Sequence, residues 1–420
     1  MEKLRIAIIG AGAAGCVAAL KASQCADAQI TLFEKNKRIA RKLLITGKGR
    51  CNLTNNCSVE EFIPNVVSGG KFLYSALNRF TPENTMEYFT SLGVELKTER
   101  GRRVFPASDR ALDVKDALEK ELLKRSNLTV LYQKVTSISK KDGIFTVKAA
   151  STPYSFDRVI IATGGKSYPK TGSDGDGYCF AKAFGHTVKP PKASLVPLVC
   201  KERFIKELEG LSLKNVTLSL SNGKKTVYKD MGEMLFTADG ISGPLVLSAS
   251  AHTRDLEKCS YSVSIDLKPA LDRSALDKRL LSDFAKYQNK DFSNALGDLL
   301  PKKLIPVIIA LSAIPPTKKV NLITKAERAT LSELLKDLKL TVVATRPIDE
   351  AVITAGGVSL KEIDPKTMES KLCPGLFFAG EVIDADAYTG GYNLQIAFST
   401  AAVAAESSTF LKKDGANLLF

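Results

Sequence analysis

The stretch LRIAIIGAGAAG at residues 4–15 decides the fold of this chain. Its apolar first half is typical of a buried parallel strand, and it leads directly into Gly10-x-Gly12-x-x-Gly15. In this spacing the first glycine permits a tight turn, the second lets a pyrophosphate approach the backbone, and the third lets a helix pack closely on the strand. The stretch therefore predicts a dinucleotide-binding βαβ unit.

The residues that follow complete this unit. A helical stretch precedes a second apolar strand at 29–33, which ends at Glu34, about 20 residues beyond the glycines. A carboxylate at this position accepts hydrogen bonds from ribose hydroxyls and disfavours the 2′-phosphate of NADP. The N–H groups of Ala13 and Ala14, at the start of the helix, would face the pyrophosphate. Glu34 does not distinguish NAD from FAD.

Two later segments favour FAD. Residues 158–165 (RVIIATGG) follow a predicted β-meander and form a buried strand that ends in Thr-Gly-Gly. Residues 375–381 (GLFFAGE) form a strand that ends in Gly-Glu, and 389–395 (TGGYNLQ) begin an alanine-rich helix. In FAD proteins with this layout the acidic strand end meets the ribityl chain, and the helix N-terminus directs N–H groups at the flavin pyrimidine. The pattern predicts non-covalent FAD.

A second dinucleotide fingerprint is absent from the sequence. The run GSDGDG at 172–177 does not have the required spacing. We therefore expect the electron donor, NADH or NADPH, to dock directly over the flavin.

The order of elements predicts how the chain divides. Residues 1–195 and 343–420 form the FAD-binding domain, and residues 196–270 alternate like the strands of a β-barrel or sandwich. Residues 271–342 have a helical period interrupted by prolines and form a small helical subdomain. The prediction is an α/β, Rossmann-type FAD-binding domain (two-dinucleotide-binding-like flavoprotein) with an inserted β-barrel plus small helical subdomain. We expect the insert to cover the flavin and to determine the substrate.

Composition narrows the function classes. The sequence has no apolar run of about 18 residues, so we predict no membrane association and a cytoplasmic location. Eight cysteines without a C-x-x-C pair, and only two histidines, argue against a metal site. The formal charge of +15 favours a polyanionic partner, although a generally lysine-rich chain explains it equally well.

Several strings together resemble the BaiN/RdsA-like (YhiN-type) family of bacterial NAD(P)/FAD-dependent flavoproteins. These strings are TGKGRCNLTN at 46–55, GRRVFPASD at 101–109, residues 164–177, LFTADGISGP at 235–244, TAGGV at 354–358 and residues 375–400. The resemblance extends over nearly the whole chain. It implies a nicotinamide-using FAD reductase of conjugated double bonds, such as a steroid enone or a uridine in large-subunit ribosomal RNA.

The sequence departs from the family at a few positions. Ala238 stands where the family usually has a histidine, Ala387 replaces a common glycine, and Ala401 and Ala402 replace a glycine and a bulkier residue. The change at position 238 puts in doubt any role of that histidine in proton transfer here.

The fingerprint and the resemblance together give a set of cofactor-binding residues. They are Gly10, Gly12, Ala13, Ala14, Gly15, Glu34, Lys35, Lys42, Gly49, Arg50, Cys51, Asn52, Val135, Ala162, Thr163, Gly164, Gly380, Glu381, Asp384, Gly391, Asn393, Leu394 and Gln395.

The predicted catalytic residues are Cys51, Asn52 and Tyr392. Reduction of an activated C=C bond needs a proton as well as a hydride, and a positioned acid delivers it best. The resemblance places Cys51 near the flavin, and a thiol with a pKa of about 8.5 is mostly protonated at neutral pH. The alternatives are that Cys51 only packs while Asn52 orients the ring, and that Tyr392 or Tyr388 is the donor.

Two basic strips favour an RNA partner. One comprises Lys35, Lys37, Arg38, Arg41, Lys42, Lys48 and Arg50, and the other comprises Lys97, Arg100, Arg102 and Arg103. They would track phosphates around the active-site mouth, or Lys42 and Arg50 would serve the FAD pyrophosphate while the rest are solvated. Three functions stay open: reduction of uridine to dihydrouridine in ribosomal RNA, a small-molecule ene-reductase or amine oxidase, and a non-catalytic FAD/RNA-binding regulator.

Overall fold

The computed structural model describes residues 3–254 and 256–410. The chain divides into two compact units, Met1–Ser194 with Ile348–Phe420, and Leu195–Pro347. The sequence places these boundaries at 195/196 and 342/343, a few residues away.

The strands are short, as is usual for a sheet built from several chain segments. In chain order they are β1 Leu4–Ile9, β2 Ala28–Phe33, β3 Thr54–Asn55, β4 Val66–Ser68, β5 Leu96–Glu99, β6 Arg103–Pro106, β7 Leu128–Leu131, β8 Val135–Lys141, β9 Ile144–Ala149, β10 Thr152–Phe156, β11 Arg158–Ile161, β12 Val188–Ser194, β13 Leu198–Cys200, β14 Ser212–Asn222, β15 Lys225–Phe236, β16 Gly240–Ser242, β17 Tyr261–Asp266, β18 Leu338–Thr345, β19 Ile353–Val358, β20 Leu376–Phe378 and β21 Asp386–Ala387.

The helices alternate with these strands. They are α1 Ala13–Ala22, α2 Val59–Phe62, α3 Gly70–Arg79, α4 Pro82–Ser91, α5 Ala111–Lys124, α6 Asp176–Ala183, α7 Pro244–Ser250, α8 Arg273–Lys286, α9 Ile305–Ser312, α10 Lys325–Lys336 and α11 Tyr392–Thr409. Among the residues that the structure describes, none of these helices is long and apolar enough to cross a membrane.

A parallel five-stranded sheet forms the centre of the first unit, in the order β20-β11-β1-β2-β7. In the central strand β1, Ile6 lies beside Ile30 of β2, and Ile8 lies beside Ile160 of β11; all four side chains are fully buried. Strands covered on both faces carry such continuous apolar runs. The strand order brings the C-terminal β20 next to β11, so both ends of the chain build one sheet.

The turn between β1 and α1 is closely packed. A Cβ atom at Gly15 would lie 1.7 Å from the carbonyl oxygen of Gly10, so no other residue fits at position 15 without moving the backbone. Helix α11, rich in alanine, packs against α1 and thereby joins the C-terminal segment to the glycine turn.

The second unit contains a closed antiparallel barrel in the order β13-β16-β15-β14-β17-β18. Alternate side chains fill its interior: Leu218, Leu220, Val263, Ile265 and Leu340 are buried. Helix α10 packs against α8 and α9 in the same compact unit as the barrel. The Rossmann-type fold with an inserted barrel is confirmed, and of the two predicted forms the insert is a barrel rather than a sandwich.

Candidate functional site

The glycine turn leaves an open space at the start of α1. A Cβ atom at Gly12 would have no heavy atom within 4 Å, and no side chain caps the helix. The N–H groups of the first helical turn, including those of Ala13 and Ala14, have no acceptors within the helix, and the helix dipole is positive there. The turn thus fits the pyrophosphate of a dinucleotide, as the sequence predicts.

Glu34 lies at the carboxyl end of β2 and is 7% exposed. One carboxylate oxygen accepts the N–H of Ala11 at 2.9 Å, and the other accepts the backbone N–H and the side-chain amide of Asn36 at 2.8 and 2.6 Å. A carboxylate offers about four acceptor positions, so one remains for a ribose hydroxyl. Glu34 therefore braces the glycine turn and can also bind a ribose.

The end of β11 lies against the same turn. Ala162 is buried, and its carbonyl oxygen would lie 2.8 Å from a Cβ atom at Gly10. The hydroxyl of Thr163 is buried and has no hydrogen-bond partner among the described residues; it is directed at Gly177 in α6. Gly164 lies against Ser173. Ala162 and Thr163 therefore line the turn mainly with backbone atoms.

A polar cluster joins the end of β20 to distant segments. The Nζ of Lys42 lies 2.6 Å from Glu381 and donates to the hydroxyl of Ser167 at 2.6 Å. Glu381 also accepts from the Ser167 hydroxyl at 3.0 Å and from the N–H of Thr354 at 2.8 Å. Lys42 and Glu381 were predicted to bind the cofactor. Ser167 and Thr354 were not singled out, although both lie within the strings that carry the resemblance.

The N-terminus of α11 is held by Asn52. With its amide oriented to satisfy its hydrogen bonds, the side-chain nitrogen donates to the carbonyls of Thr54 and Val104, both at 3.1 Å. The side-chain oxygen accepts the N–H of Gly391 at 2.9 Å. Asn52 therefore fixes the start of α11, the helix whose N-terminus is predicted to face the flavin.

Two other predicted residues also shape this helix. The side chain of Asn393 accepts the N–H of Ala387 at 2.9 Å and donates to its carbonyl at 2.8 Å, which folds the preceding loop. Gln395 is fully buried, accepts from the hydroxyl of Thr54 at 2.6 Å and donates to the carbonyl of Phe80 at 3.0 Å. The structure thus gives these side chains positioning roles.

Arg50 is engaged by acidic side chains. It forms ion pairs with Glu99 and Asp109, and its guanidinium lies 4.1 Å from the centre of the Phe105 ring. The exposed Gly49 precedes it. These contacts hold the Arg50 side chain through the 99–109 region, and its contact with the pyrophosphate stays a prediction.

The remaining predicted cofactor residues surround the strand ends. Asp384 is buried and forms an ion pair with Lys189, Val135 begins β8 and is 5% exposed, and Leu394 is half-buried in the first turn of α11. A Cβ atom at Gly380 would lie 2.8 Å from that of Ala14.

The candidate proton donors differ in burial. Cys51 is fully buried, and burial raises the pKa of its thiol to about 12 although Thr46 hydrogen-bonds to it. Tyr392 is half-buried, with its ring 5.0 Å from that of Phe62, and burial raises the pKa of its hydroxyl to about 12. Both groups stay protonated at neutral pH. Donation by Cys51, which remains a prediction, requires a movement that uncovers the thiol.

The basic strips are largely neutralised by ion pairs. Paired members are Lys35, Lys42, Arg50, Lys97, Arg102 and Arg103. Arg41 hydrogen-bonds to Asn36. Among the described residues, Lys37, Arg38, Lys48 and Arg100 are exposed and have no acidic partner. No cluster of three or more metal-ligating side chains occurs in the described ranges, 3–254 and 256–410.

Comparison with known proteins gives full-length matches. The family described as "HI0933-like protein Rossmann domain" matches residues 4–407. The chain is 34% identical over 409 residues to a 3-dehydro-bile acid delta(4,6)-reductase of Clostridium scindens, covering 96% of this chain and 98% of that protein. It is 33% identical over 401 residues to ribosomal RNA dihydrouridine synthases of Escherichia coli, with 96% and 97% covered, and of Haemophilus influenzae, with 94% and 96% covered.

The open space at Gly12 allows a charged side chain to be introduced there as a test of FAD binding. Gly12→Asp should fold, because nothing lies within 4 Å of the new Cβ atom, and should lose FAD because a carboxylate then faces the pyrophosphate. Two like charges about 4 Å apart repel by roughly 4 kcal/mol near a protein surface, so affinity should fall by about 100-fold or more. The measurements are the flavin content of the purified protein and titration of the apoprotein with FAD.

Gly12→Asn is the matched control, because it adds the same volume without the charge. It should retain more FAD than Gly12→Asp, while both apoproteins unfold at the wild-type temperature. Wild-type FAD affinity in Gly12→Asp would show that the pyrophosphate does not bind at this turn.

Proposed function

The chain belongs to the HI0933-like Rossmann family of FAD-dependent oxidoreductases, and from this premise we propose that it uses NAD(P)H to reduce uridine to dihydrouridine in ribosomal RNA. Membership confirms the resemblance inferred from the motifs. The names of both kinds of relative, delta(4,6)-reductase and dihydrouridine synthase, describe the same reaction type, the reduction of a C=C bond. The cytoplasmic location stays a prediction.

A group of exposed cations supports RNA as the substrate. Lys37, Arg38, Lys48 and Arg100 have no acidic partner among the described residues, whereas their neighbours in the two strips are paired. Lysines and arginines without an acidic partner contribute most to RNA affinity, because their binding to phosphates releases the counterions of the RNA. Below we call these four residues the free cations.

A small-molecule ene-reductase is the second candidate. Glu99 and Asp109 form ion pairs with members of the basic strips, and this reduces the positive surface that RNA would need. The bile acid reductase matches this chain as fully as the RNA-modifying relatives do. A non-catalytic regulator is disfavoured, because the curated relatives that match over the full length are named as enzymes.

Bound FAD would supply the hydride that adds to one carbon of the double bond. The glycine turn, Glu34 and the Lys42–Glu381 pair would hold the cofactor, since they lie at the carboxyl ends of β1, β2 and β20. The first turn of α11 would stabilise negative charge on the reduced ring, because its N–H groups lie at the positive end of the helix dipole.

We propose Tyr392 as the proton donor. Its hydroxyl is protonated at neutral pH, and its side chain is only half-buried, whereas protein atoms cover Cys51 completely. Tyr392 is also the first residue of α11, the helix end that the sequence predicts to face the flavin.

The donor assignment can be tested by separating the two half-reactions. NAD(P)H should reduce the flavin of Tyr392→Phe at the wild-type rate, which is monitored by the loss of flavin absorbance at about 450 nm. Reoxidation of this variant by substrate should slow by about 10²–10⁴. Cys51→Ala, with FAD still bound, should keep both rates. The reverse result, with only Cys51→Ala slow in reoxidation, would assign the proton to Cys51.

The substrate is tested with ribosomal RNA from a strain that lacks this gene. The NAD(P)H-reduced protein should be reoxidised anaerobically by this RNA, and mass spectrometry should then detect new dihydrouridine. RNA from the parent strain, already modified, is the control and should reoxidise it slowly. Rapid reoxidation by an unsaturated 3-oxo steroid but by neither RNA would establish the second candidate.

The role of the free cations is tested by reversing the charge of three of them. The combined Lys37→Glu, Arg38→Glu and Lys48→Glu variant should bind RNA weakly, and its log–log salt slope should be shallower by roughly 2–3, the loss of about three phosphate contacts. A control with the same change in net charge replaces the exposed Lys120, Lys182 and Lys278 with Glu. Equal loss of affinity in both variants would show that only net charge attracts the RNA.

A further inference from the structure

Two segments that are distant in sequence are tied together at the carboxyl edge of the parallel sheet. One is Glu34–Asn36, which follows β2, and the other is the loop of residues 164–176, which follows β11. We call their connection the clasp. In the sheet order β11-β1-β2, strand β1 lies between the two strands that the clasp joins. Neighbouring strands are about 4.8 Å apart, so the clasp crosses roughly 10 Å over the end of β1.

Ion pairs form one half of the clasp. The Nζ of Lys35 lies 2.6 Å from a carboxylate oxygen of Asp174 and 3.1 Å from one of Asp176. Lys134, just before β8, lies 3.4 Å from Asp176 and adds a second cation. Burial raises the pKa of Asp174, but its hydrogen bond to Lys35 and the nearby positive charges outweigh this, so the pKa lies below its usual value. The carboxylate is therefore ionised at neutral pH.

An amide hydrogen bond forms the other half. The side-chain nitrogen of Asn36 donates to the carbonyl of Thr171 at 3.2 Å and also to Glu34 at 2.6 Å. A Cβ atom at Gly172, where φ is +110°, would lie 2.5 Å from the Asn36 side chain. A glycine at this position allows the close approach. The loop is thus linked through Asn36 to Glu34, the residue predicted to bind the ribose.

We propose that the clasp closes over the dinucleotide and must open before FAD can enter or leave. The end of β1 beneath the clasp is the Gly10–Gly15 turn, whose open space and helix N-terminus fit the pyrophosphate. A dinucleotide held there would lie between the turn and the loop. This inference rests on the proposed binding of FAD at the turn, but not on the substrate.

A gate and a direct contact have different kinetic signatures. If Lys35 held FAD by touching a phosphate, its loss would raise only the release rate. If Lys35 holds the clasp shut, its loss raises both the release rate and the association rate. The side chains are 21–40% exposed, and exposed ion pairs are weak, so breaking two of them should raise each rate by roughly fivefold.

The experiment compares Lys35→Ala with wild type. Release is followed by the fluorescence of free FAD after dilution of the holoprotein, and association is followed by quenching when apoprotein is mixed with FAD. Both rates should rise by roughly fivefold in Lys35→Ala and in the Asp174→Asn, Asp176→Asn double variant. Lys35→Arg should behave like wild type because it preserves the pairs.

Lys170→Ala is the matched control, since Lys170 lies on the same loop, is exposed and forms no ion pair among the described residues. It should leave both rates unchanged. An increase in the release rate alone would overturn the gate and make Lys35 a cofactor contact. Unchanged rates, even with a lower unfolding temperature, would overturn it in favour of a structural role. A wild-type protein that cannot be reconstituted with FAD would instead refute the proposed function.

Discussion

The close approach between Gly15 and the carbonyl oxygen of Gly10 sets the positions of α1, β20 and α11. It seats α1 directly on the end of β1 and exposes the first-turn N–H groups beside the space at Gly12. Because α1 lies so close, Gly380 after β20 contacts Ala14, and α11 packs along α1. The N-terminal turn therefore determines where the C-terminal segment can lie.

Two carboxylates, the buried Glu34 and the 13%-exposed Glu381, are the second organising feature. A carboxylate removed from water must be hydrogen-bonded or paired, and here distant segments supply the partners. Glu34 is satisfied by backbone and amide N–H groups around the glycine turn, and Glu381 is satisfied by Lys42, Ser167 and Thr354. Each acid thus has a structural function besides any contact with a ligand, and the two together hold the strand ends at which a dinucleotide would bind.

The structure redistributes the roles predicted for the site. Residues grouped as cofactor contacts divide into those that line the turn with backbone atoms and those, such as Asn52 and Gln395, whose side chains fix α11. The same applies to charge: the sequence shows two basic strips, but Glu99, Asp109 and Glu61 neutralise most of the second one. Such roles depend on partners that lie far away along the chain, which a local pattern does not reveal.

Glycine spacing and strand periodicity are local properties of the backbone, so they are enough to predict the βαβ unit, the Rossmann-type fold and the place of the insert. Other features become visible only in the folded chain: the insert closes into a barrel, Cys51 is covered while Tyr392 is half-exposed, and Lys35 and Asn36 reach a loop about 140 residues away. Barrel closure, burial and long-range ion pairs form only when segments that are distant in sequence come into contact. Their stabilisation depends on both segments together, so it cannot be read from either segment alone.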